Sequence, residues 1–560
     1  MIRKTILGVL FLVLLVAVAS LLSRDVRRFV TLYADGSSDA LAVVDLADLT
    51  TEEQAAYYFL QGDFGALSTN TLRGSATPWA LTATVITLDY VDGDRSRLNR
   101  ENMAAAFRQW GITSAENVAN WPNSLPAPKL TAPIGISTGL VQRHLPSIQV
   151  TAANFNCAIC HSSVVFDADG QPDPSTVWIG PPNGSINLEA YPQAIYNGFL
   201  KYGQAPDLMD QVKRLFPDIS DQEIKTLKSF VLPRAVKRIG ELADTTKRAV
   251  PFKGGYPGLT NGFDALQVRL GVTHPTDKIE ISAFNSIPNL EDHQMRTSFL
   301  NAASYEIPGL DPRKEMTRAD VSEEHLDRLG AIVAYFTIPS MGLDFETARE
   351  QIPVAQKIMR LIAEYETPAF PGEIDFTLLE QGGNIYARHC ASCHGTFENT
   401  ADGTVLTSFP NYVGDVGTDS LRLSILTDEF SKAVNASSMS EHIHAPKIRG
   451  YSAPSLSGIW LSAPYFHNGS VPTLWAVMNP ELRPQNFPIG GHRLDYEKVG
   501  IDLLIDDQGV AQYPPDYEPW SLPVRVDTKQ TGLSNSGHEA PFDELSQDEK
   551  MALLEYLKTL

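Results

Sequence analysis

Apolar residues recur at helical spacing in several separated stretches of the chain. Residues 100–110 put Met103, Ala106, Phe107 and Trp110 on one face, which predicts an amphipathic helix. The same spacing predicts helices over 208–216 and 221–232, the second stopped by Pro233. A helix over 325–337 is announced by Ser322-Glu323-Glu324, and the closing SQDEKMALLEYLKTL predicts one capped by Ser546. Residues 376–388 predict another, running straight into a cysteine cluster. In contrast, residues 162–184 alternate short apolar runs with Asp, Gly and Pro, and read as a hairpin or long loop. YETPAFPGE at 365–373 marks a linker. The Pro-, Asn- and Gly-rich region 464–540 reads as loops around a buried centre.

The longest apolar run is TILGVLFLVLLVAVASLL, residues 5–22. At ~1.5 Å per residue it reaches roughly 27 Å, the depth of a bilayer core. Arg3 and Lys4 precede it, and Arg24, Arg27 and Arg28 follow. Ala17-Val18-Ala19 is a small-residue cleavage pattern, so a signal peptide stands beside a membrane anchor. Leu21 and Leu22 extend the run past that pattern and favour the anchor; a buried core helix is the bland alternative. Either leading reading puts the later chain outside the cytoplasm, periplasmic or otherwise extracytoplasmic, with the anchor holding it to the inner membrane.

Composition narrows the class. The 560 residues are 43% hydrophobic and 20% charged, which excludes a disordered, collagen-like or polytopic membrane protein. Sixty-six acidic against 45 basic residues leave a net charge of −21. Nucleic acid is an unfavourable partner for such a surface, because binding it needs basic patches that neutralise phosphates. A basic or neutral redox partner is favoured instead.

All four cysteines fall in two copies of one pattern, Cys157-Ala158-Ile159-Cys160-His161 and Cys390-Ala391-Ser392-Cys393-His394. Two thiols three positions apart can add to the vinyl groups on one porphyrin edge, and the following imidazole then ligates the iron. A dithiol redox pair needs the cysteines but leaves both histidines unexplained, as does a zinc site built from the two pairs. Covalent haem is therefore the reading, with two haem c groups. His442 and His444 form an H-x-H pair and His389 precedes the second motif; a metal site there competes with ordinary loop histidines. DADGQPDP at 167–174 lacks calcium-loop spacing and reads as a turn.

The second motif follows Gly382 and Tyr386 and continues HCASCHG. That pattern resembles the first helix and haem motif of class I cytochrome c domains, in which a loop before the C-terminal helix supplies the sixth ligand. The residue in that place is His538; His467 is the alternative. The block APYFHNGSVPTL at 463–474, with Gly450-Tyr451 and Pro454-Ser455-Leu456 before it, resembles the di-haem cytochrome c peroxidase superfamily. Within it, the RoxA-like branch of di-haem rubber oxygenases is nearer. Asn154–His161 resembles that branch's first motif, Gly417-Thr418-Asp419 its "GTD" turn, Glu481–Phe487 its "xxRPxxF" block and Gly537-His538-Glu539 its "GHE". The resemblance covers residues 125–560 and is dense from 380 onward.

The resemblance implies a mainly α fold of two cytochrome c-like haem domains, over 26–370 and 371–560, the first heavily elaborated and preceded by residues 1–25. It implies that Cys157, Cys160, Cys390 and Cys393 attach the haems and that His161 and His394 are their proximal ligands. It also implies a reactive first haem, activating peroxide or O2, and a second haem relaying electrons. The partner implied is a small redox protein or a quinol-linked donor or acceptor. A calcium ion is common in di-haem peroxidases; no residue set here identifies its site. One departure is plain: the rubber oxygenases carry a tryptophan over the reactive haem, and the nearest match, residues 287–293, has none. Glu291 and His293 make that stretch polar, which suits peroxide acid–base chemistry better than polyisoprene. The alternatives are a non-catalytic electron carrier with both irons six-coordinate and a RoxA-like dioxygenase of an alkene.

Overall fold

The computed structural model describes residues 35–560, apart from 39–48, 63–75, 129, 144–147, 244–253, 274–282, 342, 401–402 and 447–449. Residues 5–22, read above as anchor or signal peptide, lie outside the described residues. Among the described residues no helix is long and apolar enough to cross a membrane.

The expectation of a mainly α chain does not hold. The structure is mixed, with 39% helix and 17% strand spread over many small sheets. The largest has four strands in the order Asp35–Ser38, Ile136–Arg143, Ile148–Phe155, Thr77–Pro78. Its central hairpin pairs Ile136 with Phe155 and Arg143 with Ile148. The strand Ile148–Phe155 buries Ile148, Val150 and Ala152. Its alternation is short and diluted by Ala and Asn, so the period-2 signal is weak. The strands Ser162–Phe166 and Pro172–Ile179 form the hairpin expected after the first motif.

The strongly periodic helices appear where the spacing puts them. Arg100–Arg108 is capped by Asn99 and buries Met103, Ala106 and Phe107. Glu323–Ser340 is capped by Ser322, and Gln547–Leu557 carries a full capping box between Ser546 and Glu549. Pro233 does not stop its helix. Asp221–Thr226 passes through a π-turn, Leu227–Val231, into a further helix, Leu232–Ala243. The wider turn changes the hydrogen-bond register and accommodates the proline's missing N–H.

Three apolar cores position the cysteines. One packs Leu329, Ile332 and Tyr335 against Ile358, Met359 and Ala158. A second gathers Leu81, Val85, Phe107, Val150 and Ile159. Cys157 packs on the first and Cys160 on the second, so the first motif lies on their seam. The third core joins Tyr386, Trp460, Phe487, Leu553 and Leu554, with Cys390 against it.

Candidate haem sites

The second motif is delivered by the helix Leu379–His389 and the turn Ala391–His394. That helix crosses the terminal helix at Gly382, where a Cβ would lie 2.0 Å from the Ala552 carbonyl oxygen. Only glycine permits so close a crossing. The Tyr386 hydroxyl donates to the Gly395 carbonyl (3.0 Å) and pins the end of the motif.

His394 hydrogen-bonds through Nδ1 to the Pro454 carbonyl at 2.9 Å, so Nε2 is the nitrogen left for a ligand. The His538 ring stands opposite, with centroids 6.1 Å apart and planes at 47°. Two imidazoles on opposite sides of one metal ion have centres about 6.3 Å apart, given ~2.0–2.1 Å per metal–nitrogen bond. The observed spacing fits an iron between them.

His538 reaches this position through close backbone packing. It has φ 52°, Gly537 has φ 88°, and a Cβ on Gly537 would meet the Gly417 carbonyl carbon at 2.3 Å. The His538 N–H donates to the Val416 carbonyl (2.7 Å). Buried Arg483 donates to the Asn535 and Gly537 carbonyls (2.7 and 3.0 Å). Asn468 and Ser470 donate to the Ser534 carbonyl (3.0 and 2.9 Å), and Asp419 accepts from the Ser534 N–H (3.2 Å). His467 lies elsewhere: its ring stacks on Tyr451 at 4.0 Å.

In the first motif, the Asn156 side chain accepts from the Ala158 N–H (3.0 Å) and donates to the Leu60 carbonyl (2.6 Å), fixing the turn Cys157–Ile159. Gly135 has φ 86°, and a Cβ there would sit 2.3 Å from the Ile159 Cα. The Cys160 and His161 carbonyls accept from the Asn183 and Gly180 N–H groups (2.7 and 2.9 Å). The Pro288 carbonyl lies against the His161 ring and favours its protonated form.

Burial, above all, pulls both motif histidines down to about 4 and pushes Cys157, Cys160 and Cys390 up to about 12. Yet all of these side chains keep accessible surface. Each motif offers two thiols and an imidazole, the donor set that covalent haem takes. His161 and His538 each bury an Nδ1 without a hydrogen-bond partner. The residues present fit haem c at both motifs.

Pro288 opens a loop that gathers the polar candidates. Glu291 accepts the Thr367 N–H at 2.9 Å; burial and then the Asp292 charge raise its carboxyl to about 7. Asp292, at φ 61°, accepts from Ser457 and Ser455 and pairs with Arg318 (3.3 Å). His293 is buried and stacks on Phe299 (5.9 Å, 24°); burial lowers it well below 6.5, helped by Arg296 and His161. Asn289 donates to the Ser457 carbonyl (3.0 Å), so the Pro288 and Pro454 loops touch. Sequence reasoning overlooked these two proline carbonyls, Asp292 and Arg296. The repeated Pro-Asn/Ser-Leu at 288–290 and 454–456 was the available signal.

His442 and His444 do not converge: His442 faces Glu441 at 3.4 Å and His444 pairs with Glu306. No group of three His, Cys, Asp or Glu able to hold a metal ion occurs among the described residues.

The uncharacterized protein y4iM of Sinorhizobium fredii is 28% identical over 199 residues, 30% of this chain and 43% of that protein. The uncharacterized protein y4iJ of the same organism is 29% identical over 252 residues, 34% of this chain and 40% of that protein. The chain thus spans less than half the length of either. Residues 450–488 match the family model described as RoxA-like, cytochrome c-like. They include Pro454, which backs His394, and Asn468, Ser470 and Arg483, which seat the His538 loop. The match supports the RoxA-like cytochrome family and, with it, a c-type cytochrome carrying haem c.

Proposed function

We propose that this chain is an extracytoplasmic di-haem oxidoreductase, in which peroxide or O2 is reduced on the His161 side and electrons enter on the His394 side. One observation carries the reading: the two motif histidines have different company. His394 faces His538 at iron-spanning distance, whereas His293, within electrostatic reach of His161, is stacked on Phe299. Covalently bound haem c supplies one-electron chemistry at its iron. Cys157 and Cys160, and Cys390 and Cys393, would hold the haem through its vinyl groups, and His161 and His394 would bind the iron. His538, 6.1 Å from His394 between ring centres, would be a second protein ligand at that centre and would keep substrate from it. On the first side, Glu291 keeps a proton near neutral pH while its Oε2 accepts the Thr367 amide. A proton store of that kind suits peroxide better than an apolar polymer. Export agrees with haem attached through cysteine, and residues 5–22 are the proposed means.

A second reading has its own observation. His293 is buried close to His161, and a turn of its ring would fill that centre too, leaving an electron carrier.

Electron paramagnetic resonance of the purified holoprotein separates the two. The expected ferric spectrum has one high-spin component that responds to cyanide and one low-spin component. His538→Ala converts the low-spin component to high-spin, and His467→Ala leaves it unchanged. Two low-spin, cyanide-inert centres would overturn the enzyme reading in favour of the carrier. Turnover of a reduced small cytochrome with peroxide, set against oxygen uptake with an alkene, then distinguishes peroxidase from oxygenase.

A further inference from the structure

Arg296 is only 7% exposed, and its charge reaches a histidine at each candidate site. On one side its backbone N–H donates to the His293 carbonyl at 3.2 Å. On the other, Nη1 donates to Ser452 Oγ (3.0 Å) and Nη2 to the Ala453 carbonyl (3.4 Å). Ala453 precedes Pro454, whose carbonyl holds His394. The guanidinium also stands over the Phe409 ring at 5.4 Å. Burial aside, its charge is felt at both His293 and His394.

This cation lacks an anion. Asp292 is engaged by Arg318, Ser455 and Ser457, and Glu291 by the Thr367 amide. Among the described residues no carboxylate pairs with Arg296 within 4.0 Å. Two neutral acceptors serve a group with five N–H donors. Burial pulls its pKa down to about 10, a measure of how poorly the charge is compensated. A buried, unpaired guanidinium costs several kcal/mol by general estimates, and buried charges are accordingly found paired. Haem carries two propionate carboxylates, and the planar guanidinium fork matches a carboxylate in two parallel hydrogen bonds.

We propose that Arg296 is the counter-ion of a haem propionate and, through Ser452 and Ala453, ties that ion pair to the seat of His394. The inference rests on the haem reading above. Removing a nearby positive charge favours the ferric over the ferrous state, so the reduction potential must fall.

The test uses the full-length holoprotein with Arg296→Met and Arg296→Lys, after haem content and axial-ligand bands are shown to match the wild type. Spectroelectrochemistry reads each midpoint, and resonance Raman reads the propionate-bending band. Arg296→Met is expected to lower the reduced-to-oxidised ratio of one centre about tenfold, about 59 mV for a one-electron couple. The propionate band shifts with it. Arg296→Lys keeps the midpoint within about threefold, because the charge remains, but moves the band, because the fork is lost. A shift confined to either centre supports the proposal and names the haem that supplies the propionate. Unchanged midpoints and an unchanged band in haem-replete Arg296→Met overturn it. If the Met variant does not accumulate, an unchanged band in Arg296→Lys does the same. A wild-type protein without haem absorbance would sink the underlying haem reading instead, and that outcome is distinguishable at the first measurement.

Discussion

At the scale of single residues, these sites are governed by desolvation. The motif histidines are held neutral by burial, which keeps a ring lone pair available to a metal at ordinary pH. The same effect on Glu291 has the opposite chemical sense: burial keeps its proton on. Its folded value of about 7 lies above the 4.5 of the free group. Between those values the folded chain holds a proton that the unfolded chain has lost, so stability falls as pH rises from about 4.5 to about 7 and then levels. At ~1.4 kcal/mol per pKa unit, the ionised group costs the fold about 3 kcal/mol. Glu291→Gln should therefore raise the melting temperature relative to wild type at pH 8 and much less at pH 4.5. Equal shifts at both pH values would show that Glu291 is not buried as described. Glu291 could be singled out from sequence as polar residue beside a histidine, but its proton affinity could not, because that depends on Thr367 and Asp292 packing around it.

At the scale of elements, the most demanding contact is the crossing of Leu379–His389 with Gln547–Leu557. Gly382 meets the Ala552 backbone there, and a side chain forces the two helices apart. Gly382→Ala should cost at least the ~1–3 kcal/mol typical of overpacking. Thermal unfolding followed at the haem band and in the far ultraviolet checks this; a loss below 0.5 kcal/mol, taken as about the ordinary surface effect, would place the helices farther apart. Both helices were legible from the sequence, the terminal one also from its cap Ser546, since those signals are local. The central hairpin of the largest sheet was not, because its strands are stabilised by pairing across the hairpin and by burial of alternate residues. Pro233 misled for a related reason: its rule assumes regular α-helix, and a π-turn changes the register before the proline arrives.

For the whole molecule, a net charge of −21 sets long-range behaviour whatever the details of the sites. A basic small cytochrome should transfer electrons to or from this chain with a rate that falls steeply as ionic strength rises, since the Debye length shortens from ~30 Å at 0.01 M to ~8 Å at 0.15 M. Stopped-flow rates that stay flat over that range would count against an electrostatically guided partner. The two Cys-x-x-Cys-His motifs, the acidic balance and the strongest helices were settled by sequence alone, because covalent spacing, net charge and helical periodicity are properties of the chain itself. Which histidine opposes His394 was decided by tertiary structure. His467 and His538 both follow the motif in sequence, but only the seat built by Gly417, Arg483 and Asn468 turns one ring to within 6.1 Å of His394 and leaves the other on Tyr451. The meeting of the Pro288 and Pro454 loops around Arg296 is likewise tertiary, since it joins residues more than 150 positions apart whose hydrogen bonds exist only once three separate cores have packed.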